Sequence, residues 1–212
     1  MHALLMANAP FDSATEPFLY AALGDVPLLV GVDGGARTLL QLGLTPQIVT
    51  GDGDSLSDIE REALVAAGAV LVPTPDQSYT DLDKALSWAC EQGATRITVF
   101  GATGGRLDHS YSVFSALIKH GRSLPIQLVD ETARYELVNG TWHCVEPGLR
   151  GRTLSLLAFG RVEGITTLGV RWPLEDDWLA PGVRDGTLNE ITDERVSVQV
   201  GSGDLIVMLH HL

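Results

Sequence analysis

Through roughly the first 130 residues, short continuous runs of Val, Ile and Leu alternate with amphipathic stretches, and this alternation narrows the folds open to the chain. The apolar runs are ALLMANA from residue 3, LLVGVD from 28, QIVTGD from 47, VLVPTP from 70, RITVFGA from 96 and IQLVD from 126. Each predicts a strand buried on both faces, because none alternates between apolar and polar positions. Between them lie EPFLYAALG, ARTLLQLG, LSDIEREALVAAG, YTDLDKALSWACEQG and LDHSYSVFSALIKHG. These carry helical spacing and run to glycine, a common helix stop. Ser78 with Asp81 resembles a capping box at the head of the fourth. Such alternation implies a parallel sheet with helices on both faces.

After about residue 130 the helical spacing disappears, and RTLSLLAF, RVSVQVG and DLIVMLHHL follow, punctuated by PG, GT and GSGD. VSVQV alternates strictly, and GSGD before LIVML reads as a hairpin turn. The expected organisation is a Rossmann-like α/β domain over residues 1–128, then a smaller antiparallel β-sandwich domain over 129–212. The boundary is open by several residues, since GRSLP suits the approach to either domain.

No apolar run approaches the roughly 20 residues that span a bilayer, and MHALLMANAP lacks the basic start and cleavage site of a secretory signal. Only two cysteines occur, Cys90 and Cys144, without a partner motif, and both read as buried small hydrophobes. A cytoplasmic protein without a membrane partner is expected. A net charge of -13 with 14 Lys and Arg argues against a nucleic-acid partner. His210 and His211 read as a solvated chain end.

Ligands of open α/β sheets bind beyond the carboxyl ends of the strands. Asp33 follows LLVGV, Asp52 and Asp54 follow QIVTG, and Asp81 follows VLVPTP by way of DQSYT. GATGGRLDH follows RITVF and brings Arg106, Asp108 and His109. Taken singly, each has a structural explanation. Asp33 with Gly34 and Gly35 suits a tight turn, Asp81 a first helical turn, Arg106 a surface charge, and His109 a helix start. GDGDS alone is equally a solvated turn, although Asp52 and Asp54 facing one another repel by about 4 kcal/mol at close range and intermediate dielectric. Convergence on one sheet edge favours function. Clustered carboxylates suit magnesium, glycines such as Gly34 and Gly35 let backbone N–H groups approach phosphate oxygens, and Arg106 can grip a phosphate with two bonds. The parts describe a magnesium-dependent nucleotide site that is neither a P-loop nor a dinucleotide fingerprint.

In order and spacing, VDGGA, GDGDS, DQSYTD and GATGGRLDH resemble the catalytic domain of the thiamine pyrophosphokinase family. The β-rich remainder, with GITTLGVRWPLEDDWLAPG and GTLNE, resembles that family's thiamine-binding domain. The resemblance implies transfer of a diphosphoryl group from ATP to the hydroxyl of thiamine, giving thiamine diphosphate and AMP. It implies that Asp33, Asp52, Asp54 and Asp81 hold Mg2+ and the diphosphate, with Asp52, Asp54, Asp81 and Arg106 catalytic. It sets Gly34, Gly35, Gln77, Thr80, Arg106, Asp108 and His109 around the nucleotide, and Trp172 and Asn189 at thiamine. Trp172 also suits a β-sandwich core. A homodimer with shared active sites is implied as well. Leu188 stands where the family commonly has serine, so a hydroxyl that would bond the substrate is absent. Other readings of the same residues are a different hydroxymethyl acceptor such as a pterin, a glycosyltransferase built around DGD, and a non-catalytic thiamine or nucleotide sensor.

Overall fold

The computed structural model describes residues 1–24 and 28–211. The chain forms a mixed α/β fold with parallel and antiparallel strands, in two units, Met1–Glu131 and Thr132–Leu212.

In the first unit, β1 (His2–Met6), β2 (Leu28–Val32), β3 (Ile48–Gly51), β4 (Val70–Pro73), β5 (Arg96–Phe100) and β6 (Ile126–Val129) lie in the order β4-β3-β2-β1-β5-β6. Every neighbouring pair is parallel. Strand order reverses between β1 and β5, so connections leaving these strands part company and open a crevice at the carboxyl edge. The connecting helices are α1 (Glu16–Leu23), α2 (Gly35–Gln41), α3 (Asp58–Ala66), α4 (Asp81–Glu91) and α5 (Leu107–Gly121).

Leu4 and Met6 of β1 pack with Leu19, Leu29, Leu39 and Phe100, while Val49, Leu56 and Leu64 form a neighbouring cluster with Ala36 and Ala69. Each fully buried leucine contributes about 1.5–3 kcal/mol relative to an exposed one. Burial on both faces holds for the inner strands but not for β4, where Val70 and Leu71 are exposed. That strand is the sheet's edge and ends at Pro73, which could not donate to a further neighbour. The expected cap at Ser78 is also displaced. Thr80 caps α4 by accepting from Asp83 N–H at 3.3 Å, while Ser78 N–H donates to Asp76 Oδ1 at 2.8 Å. Asp81 thereby becomes the first residue of α4, at the positive end of its dipole. A full capping box stands instead at Ser57 and Glu60, ahead of α3.

The second unit contains β7 (Ala133–Leu137), β8 (Thr141–Val145), β9 (Thr153–Leu168), β10 (Asp177–Leu179), β11 (Gly186–Glu190), β12 (Arg195–Gln199) and β13 (Ser202–His210). Its centre is β9, which pairs antiparallel with β11 and β13 near its start and with β10 and β12 near its end. β7 adds to β13 and β8 to β12. Val162, Ile165, Leu179, Val196, Val198 and Leu205 lie within one continuous core.

GSGD makes no hairpin. β12 and β13 both run antiparallel to β9, with Gln199 opposite Thr166 and Ser202 opposite Glu163, so the chain continues along β9 through an irregularity. Gly203 has φ of 94°, and a Cβ there would lie 2.6 Å from the Arg161 carbonyl. Turn-like composition marks a bulge here.

Cys90 and Cys144 are free and half-buried; Cys144 packs against the core of the second unit, and its Sγ also accepts from Arg134 at 2.9 Å. His210 belongs to β13, and its carbonyl accepts from Arg152 Nε at 2.7 Å, so it is not a solvated end. No described helix is long and apolar enough to cross a membrane.

Candidate active site

Asp33 leaves β2 in a left-handed conformation, φ 50°, which aspartate tolerates better than most residues. Its N–H donates to the Thr50 carbonyl at 2.7 Å and fixes the turn against β3. The residue is only 6% exposed. Asn8 Nδ2 donates to Oδ2 at 3.3 Å, whereas Oδ1 is buried without a hydrogen-bond partner. Asp52 and Asp54 arrive from the loop after β3. Asp52 accepts from Asp54 N–H and from Gln77 Nε2, both at 3.2 Å, and these bonds to the anion hold its carboxyl below the usual range. One oxygen each from Asp33, Asp52 and Asp54 lies within 4.8 Å of the others. A buried carboxylate oxygen left unpaired is costly. The donor set, three carboxylates at such spacing, fits a hard divalent cation.

Two arginines brace this loop from behind. Arg37 bonds Glu60 and the Ser55 carbonyl, and Arg61 bonds the carbonyls of Gly53 and Leu56. Arg37 is the main reason that the Glu60 carboxyl falls to about 2. These bonds fix the backbone of the loop that carries Asp52 and Asp54.

A cavity of about 720 Å³ occupies the carboxyl edge and is lined by Asp33, Asp54, Thr80, Asp81, Arg106, Asp108 and His109. Asp52 and Gln77 are outside that lining and join it through Asp54. Asp81 lies outside the three-carboxylate cluster, and Lys84 Nζ sits 2.7 Å from its Oδ1. Asp108 is likewise paired: Arg106 Nε and Nη2 donate to it at 3.0 and 2.5 Å, which drives its carboxyl to about 2. Gly34 and Gly35 are outside the lining and have a packing reason of their own. A Cβ on Gly35 would stand 2.0 Å from the Met6 carbonyl, and one on Gly34 would strike Asn8. Sequence reasoning missed Asn8, Ser55 and Ser112 in the lining. Asn8 was legible, since it follows β1 at the same sheet edge.

In the second unit, Trp172 is 58% exposed and is therefore not core. Asn189 clamps its backbone: Trp172 N–H donates to Oδ1 at 3.1 Å, and Nδ2 donates to the Trp172 carbonyl at 2.7 Å. Arg171 carries its guanidinium 5.5 Å from the indole centroid. Leu188 is 69% exposed with φ of 61°, and its N–H donates to Ser155 Oγ at 3.0 Å. Leu188 thus holds a backbone conformation that is costly for a branched residue, next in sequence to the asparagine that clamps Trp172.

Residues 21–128 match the model of the thiamin pyrophosphokinase catalytic domain, and residues 143–205 match that of the thiamin pyrophosphokinase vitamin B1 binding domain. Thiamine pyrophosphokinase of Bacillus subtilis is 32% identical over 184 residues, covering 85% of this chain and 86% of that protein. Thiamin pyrophosphokinase 1 of Caenorhabditis elegans is 28% identical over 82% of this chain and 75% of its own length. The crystal structure of the Bacillus subtilis protein superposes with a TM-score of 0.86 at 26% identity, covering 99% of both chains. Yeast thiamin pyrophosphokinase shares the fold at a TM-score of 0.83 and 16% identity, over 99% of this chain and 86% of its own. With both domain models matched in order along its length, the chain belongs to the thiamin pyrophosphokinase family.

Proposed function

We propose that the chain transfers the diphosphoryl group of ATP to the hydroxyl of thiamine, giving thiamine diphosphate and AMP. Membership of the family makes it an enzyme of this type. The observation that supports the reading most is the unpartnered, buried Asp33 Oδ1 beside Asp52 and Asp54. Such a group needs a cation, and magnesium is the one that also accompanies nucleotide phosphates.

In this proposal Asp33, Asp52 and Asp54 would hold Mg2+, whose charge would stabilise the transferred phosphates. Arg106 exchanges part of its pairing with Asp108 for a phosphate oxygen, and Thr80, Gln77 and His109 surround the nucleotide. Asp81 contributes an anion on the wall formed by α4. The thiamine hydroxyl oxygen bonds the β-phosphorus of ATP as the bond to the α-phosphate oxygen breaks. AMP leaves, and the hydroxyl proton is released. Catalysis of this kind is mainly positioning and charge stabilisation. Thiamine bears a fixed positive charge, so Trp172 suits its ring through stacking and cation–π attraction, with Asn189 fixing the tryptophan.

The domain roles follow: Met1–Glu131 as nucleotide-binding and catalytic, with Rossmann-like winding, and Thr132–Leu212 as a thiamine-binding sandwich. A homodimer and a cytoplasmic setting belong to the same proposal, as does the absence of a nucleic-acid partner on so acidic a chain.

Purified protein incubated with magnesium, ATP and thiamine should form AMP and thiamine diphosphate in equal amounts, both abolished by excess chelator. Chromatography of the products decides it. AMP without thiamine diphosphate would redirect the reading to another acceptor, and binding without turnover would make the protein a sensor.

A further inference from the structure

Lys84 lies in the first turn of α4, and its side chain is only 9% exposed. An ammonium so nearly buried is tolerated only where its charge and its protons are both answered. Asp81 Oδ1 answers the charge at 2.7 Å. The Thr74 carbonyl accepts an Nζ–H at 2.8 Å. Thr74 is itself tied to the sheet, since its N–H donates to the Gly51 carbonyl at 3.0 Å. The ammonium therefore couples the loop after β4 to the start of α4.

This contact divides the Asp81 carboxylate. Oδ1 is buried, yet the side chain as a whole is 37% exposed and lines the cavity, which leaves Oδ2 as the oxygen available to it. Lys84 itself is absent from that lining. It lines a separate cavity with Thr74, Asp76, Tyr79 and Trp88, and within the nucleotide cavity its direct ion-pair partner is Asp81.

We propose that Lys84 is a positioning residue that holds the Asp81 carboxylate in one orientation, with Oδ2 presented to the bound nucleotide complex. The proposal rests on the reading of the cavity as the ATP site. Without the ammonium, Oδ1 is a buried charge lacking its partner, and the carboxylate turns or withdraws. A displacement of about 1 Å at a reacting centre costs on the order of 10²-fold in rate.

The test compares Lys84→Met, Lys84→Arg, Asp81→Asn and the double variant Lys84→Met/Asp81→Asn. Two readouts are taken: kcat for thiamine diphosphate formation, and calorimetric affinity for α,β-methylene-ATP with magnesium, which cannot be cleaved at the reacting bond. Lys84→Met is expected to lower kcat by about 10²-fold while the thiamine KM stays within about twofold. It should also weaken binding of the analogue, and Lys84→Arg should recover most of both losses. The double variant should be no worse than Asp81→Asn alone, because residues that act as a unit do not add. Additive losses, or a Lys84→Met protein equal to wild type in both readouts, would overturn the proposal. If Lys84→Met fails to fold, Lys84→Gln carries the same comparison, since it can still donate to Thr74. A wild type that binds the analogue but makes no thiamine diphosphate would sink the proposed activity alone, and the binding cycle would still decide Lys84. A wild type that binds no analogue would overturn both.

Discussion

On the β2 and β3 side of the cavity, Asp33, Asp52 and Asp54 gather within 4.8 Å, and the nearby Arg37 and Arg61 spend their donors on Glu60 and backbone carbonyls. On the α4 and α5 side, Asp81 rests on Lys84 and Asp108 on Arg106. The same residue type occurs along the same sheet edge with opposite charge economy. In the proposed reading the first wall takes up a cation from solution, whereas the second already has protein cations paired with its carboxylates. Asp33 Oδ1 and Asp81 Oδ1 are both buried without a hydrogen bond, and the difference between them is the ammonium 2.7 Å from Asp81.

The strongest way to break this comparison is Asp54→Asn against Arg106→Ala. Removing Asp54 should cost about 10²- to 10³-fold in kcat, comparable to deleting one preorganised electrostatic contact. It should also abolish the rise in melting temperature that magnesium gives the wild type, because a ligand stabilises only what it binds. Arg106→Ala should lower kcat while keeping the magnesium-induced rise. If both variants lose the rise, the two walls are not separate.

Trp172→Ala tests whether acceptor binding belongs to a different unit from the metal wall. We expect the thiamine KM to rise about tenfold with the ATP KM preserved, in line with the loss of a cation–π and stacking surface. A fall in kcat like that of Asp54→Asn would end the division of labour, and an unchanged KM would remove Trp172 from the thiamine surface. Asp108→Asn should be milder, less than about fivefold in kcat/KM, as the Arg106 pair is solvent-exposed.

Much of this was legible in the sequence because it rests on local rules. Uninterrupted Val, Ile and Leu runs announced β1, β2, β3, β5 and β6, and the strand-end rule singled out Asp33 and Asp54. Long-range pairing was not legible. GSGD has the composition of a hairpin, and only the register of β12 and β13 along β9 reveals one interrupted path. The strand-end position makes Asp81 a fourth candidate ligand, but sequence does not show the ammonium 2.7 Å from it. Asn189 was read as a contact to thiamine, and its amide turns out to be committed to the Trp172 backbone. In each case the deciding fact is a partner supplied by the fold.

The smallest expected effect concerns the brace behind the metal wall. Arg37 holds the Glu60 carboxyl at about 2, against 4.5 for a free glutamate, so the folded state favours the anion. A carboxyl depressed in this way contributes its stability fully above the unfolded value and loses it as pH falls through the folded one. Wild-type melting temperature should therefore drop between pH 4.5 and about 2 more steeply than that of Glu60→Gln, which has no such proton to bind. The difference is expected to be small, since the pair is only partly shielded from solvent. At neutral pH, Glu60→Gln loosens the grip on Arg37 and so on the Ser55 carbonyl. Magnesium should then bind slightly less tightly, with the thiamine KM unchanged. Identical melting profiles and identical magnesium affinity in the two proteins would show that the loop carrying Asp52 and Asp54 keeps its shape without this brace, leaving Arg61 and its bonds to Gly53 and Leu56 to hold it.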